Sequence, residues 1–328
     1  MKLSEVLVVV KNLKKYFPLK RGFFSRTYVR AVDDISFEIK RGEIFCLAGE
    51  SGCGKTTTGR LLLRLIKPTS GKIFFEGEDL MKLKGNDLKN FRRKAQIIFQ
   101  DPFESLNPRE KVIDAITKPL EIHKIIKDKN DKIEYAHNLL RSVDLTPTEY
   151  FLEKYPHQLS GGQRQRVAIA RAISLKPKFI VADEPVSMLD LSIRAGILRL
   201  LIDLKEKLKL TYLFITHDLG VAWHIADRIA IMYLGEIVEL GSVKEVLSTP
   251  LHPYTQLLIS SVPNPRNPFT TNIDIEHFAQ IEIPSAVNPP SGCKFHNRCP
   301  KKVMKCTMER PILKEQAPNH FVSCHMYS

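Results

Sequence analysis

The chain has 328 residues, 43% of them hydrophobic, which is enough to bury a sizeable core and excludes disorder throughout. Its formal charge of +14 calls for an anionic partner; nucleotide, nucleic acid and acidic lipid all qualify, and a lysine-rich solvated surface explains the charge equally well. No apolar run reaches the roughly 18 residues that cross a bilayer, and the opening MKLSEVLVVVKNLKKYF lacks the apolar length and cleavage pattern of a signal peptide, so a cytoplasmic location is expected.

Two strands are expected first, VLVVV at 6–10 and AVDDISFEI at 31–39, the second alternating as a half-buried strand does. EIFCLAG at 43–49 is a nearly continuous apolar run, the pattern of a strand buried on both faces. A helix should follow from Lys55 through LLLRLIK and stop at Pro68. The junction reads Gly49-Glu50-Ser51-Gly52-Cys53-Gly54-Lys55-Thr56, which fits G-x-x-x-x-G-K-[ST] in the strand-loop-helix setting of a phosphate-binding loop. Its glycines let the backbone aim N–H groups inward at the N-terminus of the helix, where the dipole favours an anion. Lys55 is expected to reach the β- and γ-phosphates of a nucleotide, and the Thr56 hydroxyl to ligate Mg²⁺, with Thr57 in the same binding stretch.

Residues 110–155 carry helical periodicity and many charges, as a helical insert would. The strand FIVAD at 179–183 then delivers two carboxylates, Asp183 toward a bound Mg²⁺ and Glu184 to orient and polarise a water against the γ-phosphate. An apolar strand followed by Asp-Glu is ordinary by itself; paired with the loop it becomes a catalytic candidate. The helix IRAGILRLLIDLKEKLKL and the strand TYLFITH come next, so strand and helix alternate and an α/β core with a parallel sheet is expected.

After about residue 250 the composition changes. Pro250, Pro253, Pro263, Pro265, Pro268, Pro284, Pro289 and Pro290 break up long elements and mark a separate loop-rich region. It holds four of the six cysteines, Cys293, Cys299, Cys306 and Cys324. A reducing cytosol disfavours two disulfides, and no C-x-x-C pair is present, so the usual zinc-ribbon pattern is absent. Four thiols in a segment with little core of its own suggest a metal staple.

Between the two phosphate-site elements lies Leu159-Ser160-Gly161-Gly162-Gln163, followed by Arg164-Gln165-Arg166. With these residues the chain resembles the ABC ATPase family. Gln100 matches the Q-loop, Ser187-Met188-Leu189-Asp190 the D-loop, with Met188 where alanine is more usual, and His217 in ITHDL the switch histidine. The resemblance implies a P-loop NTPase core with an N-terminal antiparallel β subdomain within residues 1–250, a helical subdomain at about 101–175, and a small cysteine-rich C-terminal extension over 251–328. It also implies that Ser160, Gly161, Gly162 and Gln163 cap a helix facing ATP held by another subunit, so that hydrolysis needs a dimer. His217 would contact the γ-phosphate and the attacking water, Gln100 would join Mg²⁺ and water to the helical insert, and Phe17, with Tyr16 the alternative, would stack on adenine.

The segments FQDPFESLNPR at 99–109 and HPYTQLLISSVP at 252–263, with GCKFHNRCP near the end, are similar to the ATP-binding subunits of oligopeptide and dipeptide importers. This narrower likeness implies an ATPase that powers peptide import, with nickel or a sugar as alternative cargo. Its expected partners are a second ATPase subunit, as a heterodimer in preference to a homodimer, two permease subunits docked near residues 100–160, and an external substrate-binding protein. The expected place is the cytoplasmic face of the membrane, with no nucleic acid bound. It further implies a [4Fe–4S] cluster on Cys293, Cys299, Cys306 and Cys324; structural zinc and unliganded thiols are the alternatives, and His296, His320 and His325, each read first as a surface histidine, are possible substitutes for one ligand. A soluble ABC ATPase acting on nucleic acid is the competing reading; it lacks here the long coiled coil or the second cassette that such proteins need. A metal-binding nucleic-acid module would leave every phosphate motif unexplained.

Overall fold

In the computed structural model the described residues are 5–21, 25–261 and 284–327, and the chain divides into two compact units, residues 1–81 with 215–328, and residues 82–214.

In the first unit, β1 (Val6–Arg21) and β2 (Ser25–Lys40) pair antiparallel with Val10 opposite Phe37. β4 (Ser70–Phe75) and β5 (Glu78–Asp79) extend them into a four-stranded antiparallel sheet, order β2-β1-β4-β5. Period-2 alternation buries Ile35, Phe37 and Ile39 and leaves Asp34, Ser36, Glu38 and Lys40 more exposed, while Leu7, Val8 and Val10 are buried on β1. This is the antiparallel β subdomain expected from the sequence. β3 (Ile44–Ala48) is buried at all five positions and runs parallel to β9 (Arg228–Tyr233). β10 (Glu236–Ser242), β12 (His320–Val322) and β11 (Lys314–Ala317) continue antiparallel beyond β9.

Helix α1 (Lys55–Leu62) follows β3. The sequence expectation carried it to Pro68; it stops earlier because Arg64 turns left-handed at φ 52° and the Leu65 amide reaches back to the Arg60 carbonyl at 2.9 Å, a Schellman-type ending. Helices α9 (Leu219–Ile225), α10 (Val243–Ser248), α11 (Pro253–Ser260) and the short α12 (Lys305–Met308) complete the unit.

The C-terminal residues are tied to this unit by buried charges. Lys294, 6% exposed, donates to Asp33 Oδ2 and the Leu234 carbonyl, both at 2.8 Å, and pairs with Glu236 at 3.0 Å. His320, read from the sequence as a surface histidine, is buried instead, with Nε2 2.8 Å from Glu239 Oε1. Pro263, Pro265 and Pro268 lie outside the described residues.

The second unit begins with α2 (Gly85–Lys94) and β6 (Ala95–Ile98), then runs through α3 (Pro102–Ser105), α4 (Val112–Ile122), α5 (Lys129–Ser142) and α6 (Thr148–Leu152) to α7 (Gly161–Ile173). α7 packs on α3, α4 and α5, and Val167, Ala168, Ile169 and Ala170 along it are all buried. β7 (Phe179–Asp183) is parallel to β6, with Ala182 opposite Ile98; α8 (Leu191–Leu208) and β8 (Thr211–Thr216) follow, and within β8 the chain returns to the first unit. Among the described residues no helix is long and apolar enough to cross a membrane.

Candidate nucleotide-binding site

The buried strand β3 hands the chain to a loop that crosses close to other backbone. A Cβ at Gly49 (φ 149°) would lie 2.2 Å from the Met232 carbonyl oxygen, and one at Gly54 (φ 110°) would lie 2.1 Å from that of Ala31. Only glycine fits both positions. Lys55, the first residue of α1, is 5% exposed and donates to the carbonyls of Gly49 at 2.7 Å and Glu50 at 3.0 Å, so its ammonium sits inside the loop. Ser51 and Gly52 form the exposed crest, Cys53 is buried beneath it, and Thr56 and Thr57 are partly exposed on the first turn of the helix. Burial pushes the Cys53 thiol up although Lys55 opposes it, so the thiol stays neutral in the loop.

Two contacts to this loop have no counterpart in the sequence reading. The Glu50 amide donates to the Tyr254 hydroxyl at 3.0 Å, and the Glu50 carboxylate takes a bidentate pair from Arg298, at 2.9 and 3.1 Å. Tyr254 lies in the HPYTQ segment, which drew notice without a role; Arg298 carried no signal.

Phe17 and Tyr16 are adjacent on β1 and differ in availability. The Tyr16 hydroxyl donates to Asp33 at 2.5 Å, and burial together with that carboxylate pushes its pKa up to about 12. Phe17 is 37% exposed, with Lys15 Nζ 4.8 Å from its ring centre. His217 is exposed at the end of β8, just before α9, whose first turn is capped by Asp218 accepting from the Val221 amide at 3.1 Å.

In the second unit Gln100 Nε2 donates to Glu184 Oε2 at 3.1 Å, so the structure brings these two candidates together. Asp183 is buried at the end of β7, and Glu184, next in the chain, has left-handed backbone at φ 47°, a strained conformation for a residue with a Cβ. Ser160 caps α7 in a reciprocal box: its hydroxyl accepts from the Gln163 amide at 3.3 Å, and the Gln163 side chain accepts from the Ser160 amide at 3.0 Å. Gly161 and Gly162 form the first turn, and a Cβ at Gly162 would meet Ile193 Cγ2 at 2.7 Å. Buried Gln165 donates to the Pro185 carbonyl at 2.8 Å, which links α7 to the turn after β7. The candidates thus fall into two sets, Phe17, the loop 49–57 and His217 in the first unit, and Gln100, 160–163, Asp183 and Glu184 in the second.

The sequence matches the ABC transporter family model over residues 32–187, and the model of the oligopeptide/dipeptide transporter C-terminal region over 238–306. It is 47% identical to the oligopeptide transport ATP-binding protein AppF of Bacillus subtilis, over 99% of this chain and 98% of that one. The chain belongs to the ABC transporter ATP-binding family. A peptide ABC transporter ATP-binding protein of Sinorhizobium fredii is 45% identical over 99% of this chain and 91% of its own length. Among solved structures, the ATP-binding cassette MJ0796, dimeric and bound to ADP and Pi, is 32% identical with a TM-score of 0.64, covering 72% of this chain and 99% of that one. Family membership makes the protein an ATPase that binds ATP with Mg²⁺ and serves a membrane transporter with permease partners.

The expected metal cluster is a correction. Cys293, Cys299, Cys306 and Cys324 are free cysteines and close enough to influence one another's ionisation. Among the described residues, however, no group of three or more His, Cys, Asp or Glu side chains is arranged to hold a metal ion, and the names of the matched relatives carry no cluster. Burial pushes the Cys293 thiol up to about 12 and that of Cys299 to about 11. The substitute histidines are engaged elsewhere: His296 Nδ1 lies 2.9 Å from the Cys293 carbonyl, His325 Nε2 lies 2.8 Å from that of Glu309, and His320 pairs with Glu239. Neither the [4Fe–4S] cluster nor its zinc alternative is supported.

Proposed function

We propose that this subunit hydrolyses MgATP to power the import of oligopeptides or dipeptides. The observation that carries this reading is identity of 45–47%, over nearly the whole chain, with proteins named for oligopeptide and peptide transport, together with the match of residues 238–306 to the C-terminal region of such transporters. In this reading the loop amides that follow Glu50 and the Lys55 ammonium hold the β- and γ-phosphates, and Phe17 stacks on adenine because the Tyr16 hydroxyl is committed to Asp33. Thr56, Gln100 and Asp183 would hold Mg²⁺ through their side-chain oxygens, and the ion, when bound, would offset negative charge on the phosphates. The fit is chemical: hydroxyl, amide and carboxylate oxygens are the donors that Mg²⁺ takes. Glu184 accepts a proton from the attacking water, Gln100 fixes the direction of its carboxylate, and His217 steadies the γ-phosphate. Ser160, Gly161, Gly162 and Gln163 present a capped helix N-terminus to the nucleotide held by a second ATPase subunit, for which a non-identical partner is preferred.

The protein would sit on the cytoplasmic face of the membrane, beneath two permease subunits fed by an external binding protein. The test is uptake of a labelled tri- or pentapeptide into proteoliposomes that contain the subunit, its paired ATPase and both permeases, with binding protein added outside. ATP-dependent uptake abolished by Glu184→Gln is the expected result. Stimulation of turnover by nickel or a sugar binding protein, with none by the peptide one, would replace the cargo while keeping the engine.

A further inference from the structure

The Glu50 carboxylate is an awkward group for a loop that takes a polyanion. It stands five residues before Lys55, and a negative charge beside the phosphates opposes binding. In the structure it is matched by a single cation from the far end of the chain. Arg298 is 6% exposed, and its two terminal nitrogens donate to the two Glu50 oxygens at 2.9 and 3.1 Å, the fork geometry that lysine cannot reproduce. Arg298 is itself held from behind, with its guanidinium 5.9 Å from the ring centres of Tyr233 and Phe295. Phe295 is 1% exposed and packs on Tyr233 and Tyr254 at 5.3 and 5.4 Å. Tyr254 in turn receives the Glu50 amide, and the Glu50 carbonyl receives Lys55 Nζ. Every polar group of Glu50 is therefore fixed, two of them by residues that follow position 250.

We infer that Arg298 is a positioning and charge-balancing residue for nucleotide binding: by pairing with Glu50 it makes the phosphate loop electrically acceptable to ATP, so that the C-terminal segment sets nucleotide affinity. This rests on the reading of the loop as the ATP site. Lost packing and lost charge balance make opposite forecasts for Glu50. If Arg298 were only a prop, removing either partner would loosen the loop. If it balances charge, removing Glu50 leaves an extra cation near the phosphates and tightens binding.

The experiment is equilibrium binding of a fluorescent ATP analogue to the full chain as wild type, R298Q, R298K, E50Q and the double variant R298Q/E50Q. The expected result is an affinity about tenfold weaker for R298Q, a smaller loss for R298K, tighter binding for E50Q, and a return close to wild type in the double variant. In the reconstituted transporter the KM for ATP should move and kcat at saturation should change much less. Affinity unchanged in R298Q while wild type binds, or a double variant as weak as R298Q, overturns the inference. Wild type that fails to bind the analogue overturns the nucleotide reading itself, and this inference with it.

Discussion

Gln100 and Glu184, eighty-four residues apart, share one hydrogen bond of 3.1 Å, from the amide nitrogen of the first to a carboxylate oxygen of the second. Each lies just beyond a strand, and the two strands are parallel neighbours, so the sheet itself delivers the pair. The bond fixes the plane of the Glu184 carboxylate. Glu184→Gln is expected to lower ATP turnover a hundredfold or more, in the range of about 10² to 10⁴ typical for a lost general base, while retaining nucleotide binding. Gln100→Ala keeps the base and loses its orientation, so a smaller fall of about tenfold is expected. Single-turnover assays with bound ATP would separate the two; equal losses would count against this division of labour.

Ser160→Ala removes the acceptor of the Gln163 amide and should cost about 1 kcal/mol, read as a lower urea midpoint. Ser160→Asp keeps a cap and should restore the midpoint, yet it places a carboxylate where a phosphate is to approach, so turnover should stay low. Recovery of both properties together in the aspartate variant would argue that this helix end faces no anion.

At Gly162 the added methyl of alanine would press on Ile193, 2.7 Å away. Overpacking of this kind costs about 1–3 kcal/mol, and Ile193→Ala in the same chain should return most of it. Denaturation of the two single variants and the double gives the coupling directly.

His252 offers a pH test. It is 1% exposed, its Nδ1 accepts the Tyr254 amide at 3.0 Å, and burial alone pushes its pKa down to about 3. The ordinary value in an unfolded chain is about 6.5. A depressed folded value means that the unfolded state takes up the proton first. The contribution is therefore fully present above about pH 6.5 and is lost as the pH falls toward 3, with a slope of about 1.4 kcal/mol per pH unit. Asparagine can still cap α11, so His252→Asn should flatten this acid limb while preserving much of the stability at pH 7.5. An unchanged acid limb in the variant would place the proton uptake on other groups.

What was legible in the sequence follows contact distance along the chain. The β3-loop-α1 junction is contiguous, so its strand, glycines and lysine could be read together, and FIVAD coincides with β7 at 179–183. The end of α1 was misread because Pro68 looked like the stop signal, whereas the left-handed turn at Arg64 ends the helix and carries no mark in composition. The meeting of Gln100 and Glu184 was accessible only through family resemblance, because no local pattern reports a contact across two strands. Arg298 on Glu50 spans 248 residues and was invisible. The cysteines erred in the other direction: their clustering in a segment with little core suggested a shared metal and the family resemblance a cluster, but nearness in sequence does not fix whether thiols converge, and among the described residues no metal-holding group is found.

The wall of the phosphate loop is made of main chain, the carbonyl oxygens of Ala31 and Met232, one in β2 and one in β9. Oxygens of that kind are supplied by any residue, so exchange at position 31 can proceed without disturbing its oxygen, whereas Met232 is fully buried and its Cε would lie 2.8 Å from a Cβ at Gly54, so its side chain is constrained as well. A one-residue insertion or deletion within either strand would displace the oxygens at once. A saturation library should therefore show position 31 as permissive to exchange, position 232 as confined to apolar residues of similar size, and both strands as closed to changes in length, which is how two distant strands can govern a loop without leaving a signature in it.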